Sequence, residues 1–209
     1  MIEAWHGTQG DWGGVFGNET AWFSTERGIS EAYAESATDQ GFLPTLYQVE
    51  VDIEYDDLFH ASRLEDDEEF REKFIECLKV HGESNSHIEQ HILPAIKAFS
   101  YGELNYEYPE VYECIEAMGY KGWWEKEKHR YHNDTINFGL FNPGKYVTTV
   151  ETILTCPECR YCELEKQEDE ELLCDSCDVL VKYCDYCQQQ MTYIEDDDQW
   201  TCESDSCKT

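Results

Sequence analysis

The cysteines of this chain are concentrated toward one end and are regularly spaced. Nine of the eleven lie from Cys156 onward, and eight of these nine form two sets of four. In each set a Cys-x2-Cys pair is followed, after fourteen intervening residues, by a second pair. This spacing is typical of a structural zinc ribbon, in which four thiolates close a tetrahedron around the ion. The predicted ligands are Cys156, Cys159, Cys174 and Cys177 in one set, and Cys184, Cys187, Cys202 and Cys207 in the other.

Two structural zinc ions are therefore expected, and a closed tetrathiolate leaves no open position for catalysis. A disulfide framework is the alternative use of these thiols. The opening residues MIEAWHGT show no secretory signal, which favours a cytoplasmic location and free thiols. The ninth cysteine, Cys162, is either a free thiol or a replacement for Cys159 in a Cys-x5-Cys register, and we favour Cys159 as the ligand.

A second group of residues suited to chemistry lies in WHGTQGDWGG, residues 5–14. A histidine such as His6 can be a core residue, a metal ligand, a general base or a donor to a ligand hydroxyl. Gly7 lets a flat ligand approach the backbone closely, because it has no side chain. Ser30 and Tyr33 are three residues apart, so a helix would place them on one face. This pattern favours a small-molecule site.

Hydrophobic periodicity predicts the elements that must position these residues. Residues 21–25 read as a strand, and residues 26–37 as a helix with Ile29, Ala32, Tyr33 and Ala37 on its apolar face. Residues 45–53 alternate as a strand with one slip in period. Helices are then predicted for 63–82, 86–99 and 109–119, and strands for 120–127 and 135–154.

This order of elements predicts an α+β fold and not a regularly alternating parallel sheet. Within it, Pro94 is expected to kink or divide the helix predicted for 86–99. The change in composition near Thr155 predicts two domains, residues 1–154 and 155–209. The second has little apolar periodicity, so we expect metal binding rather than a core to hold it together.

The charge of the chain limits its partners. With 46 acidic and 15 basic residues, the net charge is -31. Such a surface repels phosphate backbones, so binding to free nucleic acid is not expected, and a protein with a basic surface is the better partner. No apolar run is long enough to predict a membrane span.

Three blocks of the sequence resemble a known family. WHGT, AWFSTERGISEAYAE and the later GYKGWW with NFGLFNP are similar to the three signature blocks of the ADP-ribosyltransferase superfamily. The closer branch is that of diphtheria toxin and the poly(ADP-ribose) polymerases, with small forms in phage-encoded and polyvalent proteins. The resemblance spans about residues 1–150. It implies a split β-sheet domain with helices and NAD as the substrate.

The resemblance also implies roles for single residues. His6 would bond the 2'-hydroxyl of the nicotinamide ribose, and the backbone of Gly7 would hold the carboxamide. Ser30 would contact the carboxamide as well, and Tyr33 would stack on the nicotinamide ring, as an electron-rich aromatic face suits a cationic pyridinium. Trp22 takes the place of the family's second signature tyrosine. The predicted NAD-binding residues are His6, Gly7, Thr8, Trp22, Ser24, Ser30 and Tyr33.

The third block departs from the family at its catalytic acid. Counting back four residues from Phe141 places Asn137 where the family has a glutamate. A carboxylate there stabilises an oxocarbenium-like transition state by its charge, which an amide cannot do. Asp134, Glu125 or Glu127 would supply the charge in a shifted register. The predicted catalytic residues are His6, Tyr33, Asn137 and Asp134.

These blocks imply a mono-ADP-ribosyltransferase that passes ADP-ribose from NAD to a protein target docked by the zinc ribbons. A phage or bacterial effector acting on a host or defence protein is one specific form of this hypothesis. The alternative is a catalytically inactive NAD-binding protein, or an acidic decoy that blocks a basic surface. An RNA 2'-phosphotransferase would share the fold, but it needs basic residues for phosphates, and the net charge of -31 disfavours it.

Overall fold

The computed structural model describes residues 1–9, 13–36, 40–98, 107–126, 135–160, 162–167, 171–187, 189–194, 199–204 and 207. The chain divides into two compact units. The first contains Met1–Ile2, Gly17–Trp22 and Asp52–Tyr146, and the second Glu3–Phe16, Phe23–Val51 and Val147–Thr209. The chain is a mixed α and β protein with a multi-strand sheet, as expected. The predicted boundary after residue 154 stays a prediction.

The strands and helices follow the chain in this order. The strands are β1 (Ile2–Gln9), β2 (Ala21–Ser24), β3 (Pro44–Val51), β4 (Leu58–Phe59), β5 (Gly122–Lys126), β6 (Ile136–Leu140), β7 (Val147–Leu154), β8 (Glu165–Lys166), β9 (Leu172–Cys174), β10 (Val179–Val181), β11 (Thr192–Ile194) and β12 (Gln199–Thr201). The helices are α1 (Arg27–Glu35), α2 (Arg63–Asp66), α3 (Glu68–Val80), α4 (Asn85–His87), α5 (Leu93–Ala98) and α6 (Pro109–Ala117). A π-helical turn, Ile88–Ile92, separates α4 from α5, and 3-10 turns lie at Tyr55–Asp57 and Pro143–Lys145.

The helix predicted for 63–82 is divided into α2 and α3 by a cap. The Asp67 side chain accepts a hydrogen bond from the Phe70 N–H at 2.9 Å, which satisfies a donor at the start of α3. Phe70, Phe74 and Leu78 recur at helical spacing and are buried. Gly82 follows with a φ of 98°, a conformation in which a glycine ends a helix without strain.

Pro94 divides the next helical segment, as predicted. It lies in the first turn of α5, directly after the π-helical turn Ile88–Ile92. Proline has no N–H to donate, so a regular hydrogen-bond ladder cannot run through this position. The third predicted helix forms as α6, with Pro109 at its start.

In the first unit the strand order is β4-β5-β6, with β4 parallel and β6 antiparallel to β5. The helices pack on these strands through a continuous apolar core that includes Phe59, Phe74 and Ile115. A disulfide joins Cys77 of α3 to Cys114 of α6, whose Cα atoms are 5.7 Å apart. This bond links two helices that are distant in sequence.

In the second unit the strand order is β2-β1-β3-β7, and this unit contains Phe23–Ser24 of β2 and Glu3–Gln9 of β1. Trp5 of β1 pairs with Ser24 of β2, and β3 is antiparallel to β7. The register of β3 against β7 shifts between Gln48 and Val49, where the pairing passes over Val150, so the extra residue belongs to β7.

The buried face of α1 differs from the predicted one. Ser30 and Ala34 are buried, whereas Ala32 is exposed and Tyr33 is 67% exposed. The predicted face is wrong because α1 packs so closely on β1 that only small side chains fit between them. Ala37 lies outside the described residues. Among the helices that the structure describes, none combines the length and the apolar character needed to cross a membrane.

Candidate zinc centres and the histidine site

The first predicted zinc set comes together around the start of the cysteine-rich segment. The Sγ atoms of Cys156 and Cys177 are 3.5 Å apart, those of Cys159 and Cys174 3.9 Å, and those of Cys174 and Cys177 3.1 Å. Four thiolates at about 2.3 Å from one zinc ion would lie about 3.8 Å apart in a tetrahedron. The four sulfurs therefore fit a single ion.

Both Cys-x2-Cys turns of this set are built in the same way. The N–H of Arg160 donates to the Cys156 carbonyl at 2.9 Å, and the N–H of Asp178 donates to the Cys174 carbonyl at 2.9 Å. Arg160 and Asp178 have φ values of 63° and 53°, in the left-handed region. These reversals turn each thiol pair toward the common centre.

The second predicted set is more exposed. The Sγ atoms of Cys184 and Cys207 are 3.5 Å apart, as are those of Cys187 and Cys202. The hairpin of β11 and β12 leads into Cys202, and all four cysteines are partly accessible. Within each set the four ligand atoms lie within 4.8 Å of one another, so each set could hold one structural zinc ion.

The thiols of each set share their protons unequally. In the second set, burial raises the pKa of Cys187, but donation by the Gln189 N–H and by the other three thiols outweighs it and lowers that pKa to about 6. In the first set, the Cys177 thiol donates to Cys174, which lowers the pKa of Cys174 and raises that of Cys177. Each set thus contains a cysteine whose pKa is lowered by its neighbours.

Cys162 stands beside the first set without belonging to it. Its thiol lies 3.1 Å from the Ser176 hydroxyl, and its carbonyl accepts a hydrogen bond from the Cys156 N–H at 2.8 Å. The group of four that could hold a metal contains Cys159 instead. This geometry favours the Cys-x2-Cys register over the Cys-x5-Cys register.

The cysteine-rich segment has a core that sequence reasoning missed. Leu43 packs in one buried cluster with Leu164, Leu172 and Tyr183. The N–H of Thr155 donates to the Pro44 carbonyl at 2.9 Å, and the N–H of Gln190 to the Gly41 carbonyl at 2.7 Å. The expectation that metal alone holds this segment is therefore wrong, since residues 41–44 complete its core.

His6 lies on β1 in a box of aromatic rings. Its ring centroid is 5.3 Å from that of Phe16, 5.5 Å from that of Phe23 and 6.5 Å from that of Tyr47. The plane of Tyr47 is 14° from that of the imidazole. Side chains packed on three sides restrict the rotation of His6, which is half-buried.

Gly7 lies closer to Ser30 than a residue with a side chain could. A Cβ on Gly7 would lie 1.8 Å from the backbone oxygen of Ser30. The Ser30 hydroxyl donates to the Trp5 carbonyl at 2.9 Å. The predicted site residues Gly7 and Ser30 are therefore neighbours at the contact of β1 with α1, and His6 precedes Gly7 in the strand, where successive side chains point to opposite faces.

The remaining residues predicted to bind NAD differ in their burial and in the unit to which they belong. Thr8 is half-buried in β1, and buried Ser24 accepts a hydrogen bond from the Glu26 N–H at 3.0 Å, so it shapes the start of α1. Tyr33 is 67% exposed. Trp22 belongs to the first unit, where it packs against the apolar core.

The third block lies in the first unit. Asn137 is a half-buried residue of β6 whose amide oxygen is shielded from solvent, and its Cα partner on β5 is Glu125. Asp134 and Glu127, which the sequence offers as further acids, lie outside the described residues. Register alone thus selects Glu125 as the acid paired with Asn137.

Compared with models of known protein families, with curated proteins and with solved structures, the chain matches none.

Proposed function

We propose that the protein is an NAD-dependent mono-ADP-ribosyltransferase. The observation that supports this proposal best is the contact of β1 with α1, where Gly7 lies directly against Ser30 and follows His6 in the strand. These are the residues to which the family resemblance assigns the nicotinamide and its ribose. The ribbons then serve to dock the protein that receives ADP-ribose.

The local geometry suits each assigned role. The aromatic box around His6 holds the imidazole in one orientation, which favours a directed hydrogen bond to a ribose hydroxyl. A serine hydroxyl has one donor and two acceptor positions, so Ser30 can accept from a carboxamide while it donates to Trp5. Tyr33 is a solvent-exposed ring one turn along the same helix, available to stack on a cationic nicotinamide.

Glu125 is the acid that we assign to the reaction. The family resemblance assigns the acid to the third block, and among the acids that the sequence offers there Glu125 is the one within the described residues, with Asn137 as its Cα partner in β6. In the proposed reaction the bond between ribose and nicotinamide breaks and its electron pair leaves with neutral nicotinamide. The acceptor atom of the target bonds to the ribose carbon and loses a proton. The carboxylate would stabilise the positive charge that develops on the ribose.

The test is NAD consumption and transfer of label from NAD by the purified full chain, with target protein supplied in a lysate. His6→Ala should lower the rate at least tenfold, whereas His87→Ala, in the helical first unit, should not change it. Glu125→Gln should also lower the rate, and Asn137→Asp should preserve or raise it. Equal rates for the intact protein and His6→Ala would refute the proposed transferase activity.

A second candidate is a protein that binds NAD, or a basic surface, without turnover. The observation in its favour is Asn137 itself, since an amide at the third block supplies no charge. In that case NAD would protect the protein against thermal unfolding in a His6-dependent way while no nicotinamide is released. If NAD gives no such protection, only the decoy form of this candidate remains, and binding to a basic protein partner tests it.

A further inference from the structure

We propose that Cys77, His81 and Cys114 form a third metal site, which binds zinc when the disulfide between the two cysteines is reduced. The site lies in the first unit, where α3 meets α6. It is independent of the proposed transferase function and of the two tetracysteine sets.

The three side chains have the geometry of a ligand set. Cys77 and His81 are four residues apart at the end of α3, so they lie on the same face of the helix, and Cys114 approaches from α6. The ligand atoms of the three residues all lie within 4.8 Å of one another. Two thiolates and one imidazole are a known zinc set, with the fourth position left for water.

A carboxylate supports the histidine. Glu113 Oε2 lies 3.1 Å from His81 Nδ1, so Nε2 is the nitrogen that we assign to the metal. Histidines that bind metals usually have such a partner on their second nitrogen, which fixes the ring and raises its basicity. A disulfide that only joined two helices would need neither the histidine nor its carboxylate.

The site is accessible from one side. Cys114 is fully buried, Cys77 is partly exposed, and His81 is exposed at the end of α3. A small thiol can therefore approach through the side where Cys77 lies. The tetracysteine sets need reduced thiols to hold zinc, and conditions that keep them reduced also favour reduction of the disulfide.

Reduction of the disulfide and binding of the metal are separate steps. Two molecules of a small thiol, such as glutathione, reduce the disulfide to two protein thiols and are themselves oxidised to one disulfide. Binding of Zn²⁺ by the two thiols and His81 then releases two protons. Oxidation by a disulfide of the same class reverses the sequence and expels the metal. Whether the site holds zinc or the disulfide would thus depend on the ratio of small thiols to their disulfides around the protein.

The experiment measures zinc per chain in the purified full-length protein after exposure to excess zinc and desalting. The reduced protein should hold one more zinc ion than the protein in which the Cys77–Cys114 bond is intact. Cobalt substitution should add, in the reduced protein alone, absorption bands of a site with two sulfurs and one nitrogen. No additional metal in the reduced protein would overturn the proposal.

Variants at His81 and Glu113 make the assignment specific and leave both cysteines of the site unchanged. His81→Ala should remove the additional zinc ion and leave the tetracysteine sets loaded. Glu113→Gln should weaken the additional site by about 10-fold to 100-fold. His87→Ala is the matched control, since His87 also lies beside a carboxylate, Glu83, at 3.6 Å. Retention of the additional zinc in His81→Ala would rule out this ligand set.

Discussion

Among single residues, Gly7 shows how the absence of a side chain can determine the packing around a candidate site. Its missing Cβ allows the backbone of α1 to lie directly against β1, and this contact lets the Ser30 hydroxyl reach the Trp5 carbonyl. The same glycine is therefore required by packing, whatever the ligand. A role for the Gly7 backbone in binding a carboxamide adds to this structural role and does not replace it.

Gly7→Ala should destabilise the protein by about 1–3 kcal/mol, because the new methyl group would overlap the Ser30 carbonyl. The measurement is the midpoint of urea unfolding. Gly28→Ala is the control, since a Cβ there meets no atom within 4 Å and alanine favours a helix. If both variants unfold at the same midpoint, the close contact is not what position 7 requires.

Tyr33→Ala separates a ligand role from a packing role. Because Tyr33 is 67% exposed, its removal should change the unfolding free energy by less than about 0.5 kcal/mol. If the ring stacks on nicotinamide, the KM for NAD should rise severalfold. Tyr186→Ala, at an 80% exposed ring in the cysteine-rich segment, should leave this KM unchanged. An unchanged KM in Tyr33→Ala would exclude the stacking role.

Among the elements, β4 and β5 are joined by an ion pair between the residues that directly precede them, Asp57 and Lys121. The N–H of Glu54 and the ammonium group of Lys121 both donate to the Asp57 carboxylate, and these bonds lower the pKa of Asp57. The N–H of Lys121 also donates to the Asp57 carbonyl at 2.8 Å. The side-chain and backbone bonds between Asp57 and Lys121 thus join the starts of the two strands.

A carboxyl whose pKa is lowered by folding stabilises the folded state above its unfolded pKa of about 3.9, and this contribution is lost as the pH falls through the folded pKa. Asp57→Asn should therefore cost up to about 1 kcal/mol at pH 7, since both partners are 31% exposed. The difference from the intact protein should shrink as the pH falls below about 3.9 and vanish once the pH is below the lowered pKa of the folded protein. A difference that persists in acid would point to altered packing instead of lost charge.

At the scale of the whole molecule, the two tetracysteine sets differ in protection. Cys156 and Cys174 are buried in the core that residues 41–44 complete, whereas all four cysteines of the second set are partly accessible. A chelator should therefore remove zinc in two phases, the faster one from the second set. The release is followed by the absorbance of a zinc-binding dye.

Single ligand variants assign the phases of metal release. Cys187→Ser should abolish the fast phase, and Cys174→Ser the slow one. Cys174→Ser should also lower the unfolding midpoint more, because its set is packed against Leu43 and Tyr183. Release in a single phase from the intact protein would mean that the two sets respond as one unit.

Local patterns made several features of this protein predictable. A Cys-x2-Cys turn is closed within five residues, as the bond from Arg160 to Cys156 shows, so spacing alone identifies the ligands. The period of Phe70, Phe74 and Leu78 likewise marks α3, because helical contacts repeat every three or four residues.

Contacts between distant residues could not be read from the sequence. Cys77 and Cys114 are separated by 37 positions, and nothing in their local sequence says that α3 and α6 bring them together beside His81. The aromatic box of His6 draws on Phe16, Phe23 and Tyr47 in the same non-local way.

Spacing, period and composition are enough to predict the two tetracysteine sets, the mixed helix and strand order and the charge of -31. The folded chain was needed to show which face of α1 is buried, that Leu43 completes the core of the cysteine-rich segment, and that Glu125 pairs with Asn137. Packing and strand register arise from many weak contacts between distant segments, and no short stretch of sequence encodes them.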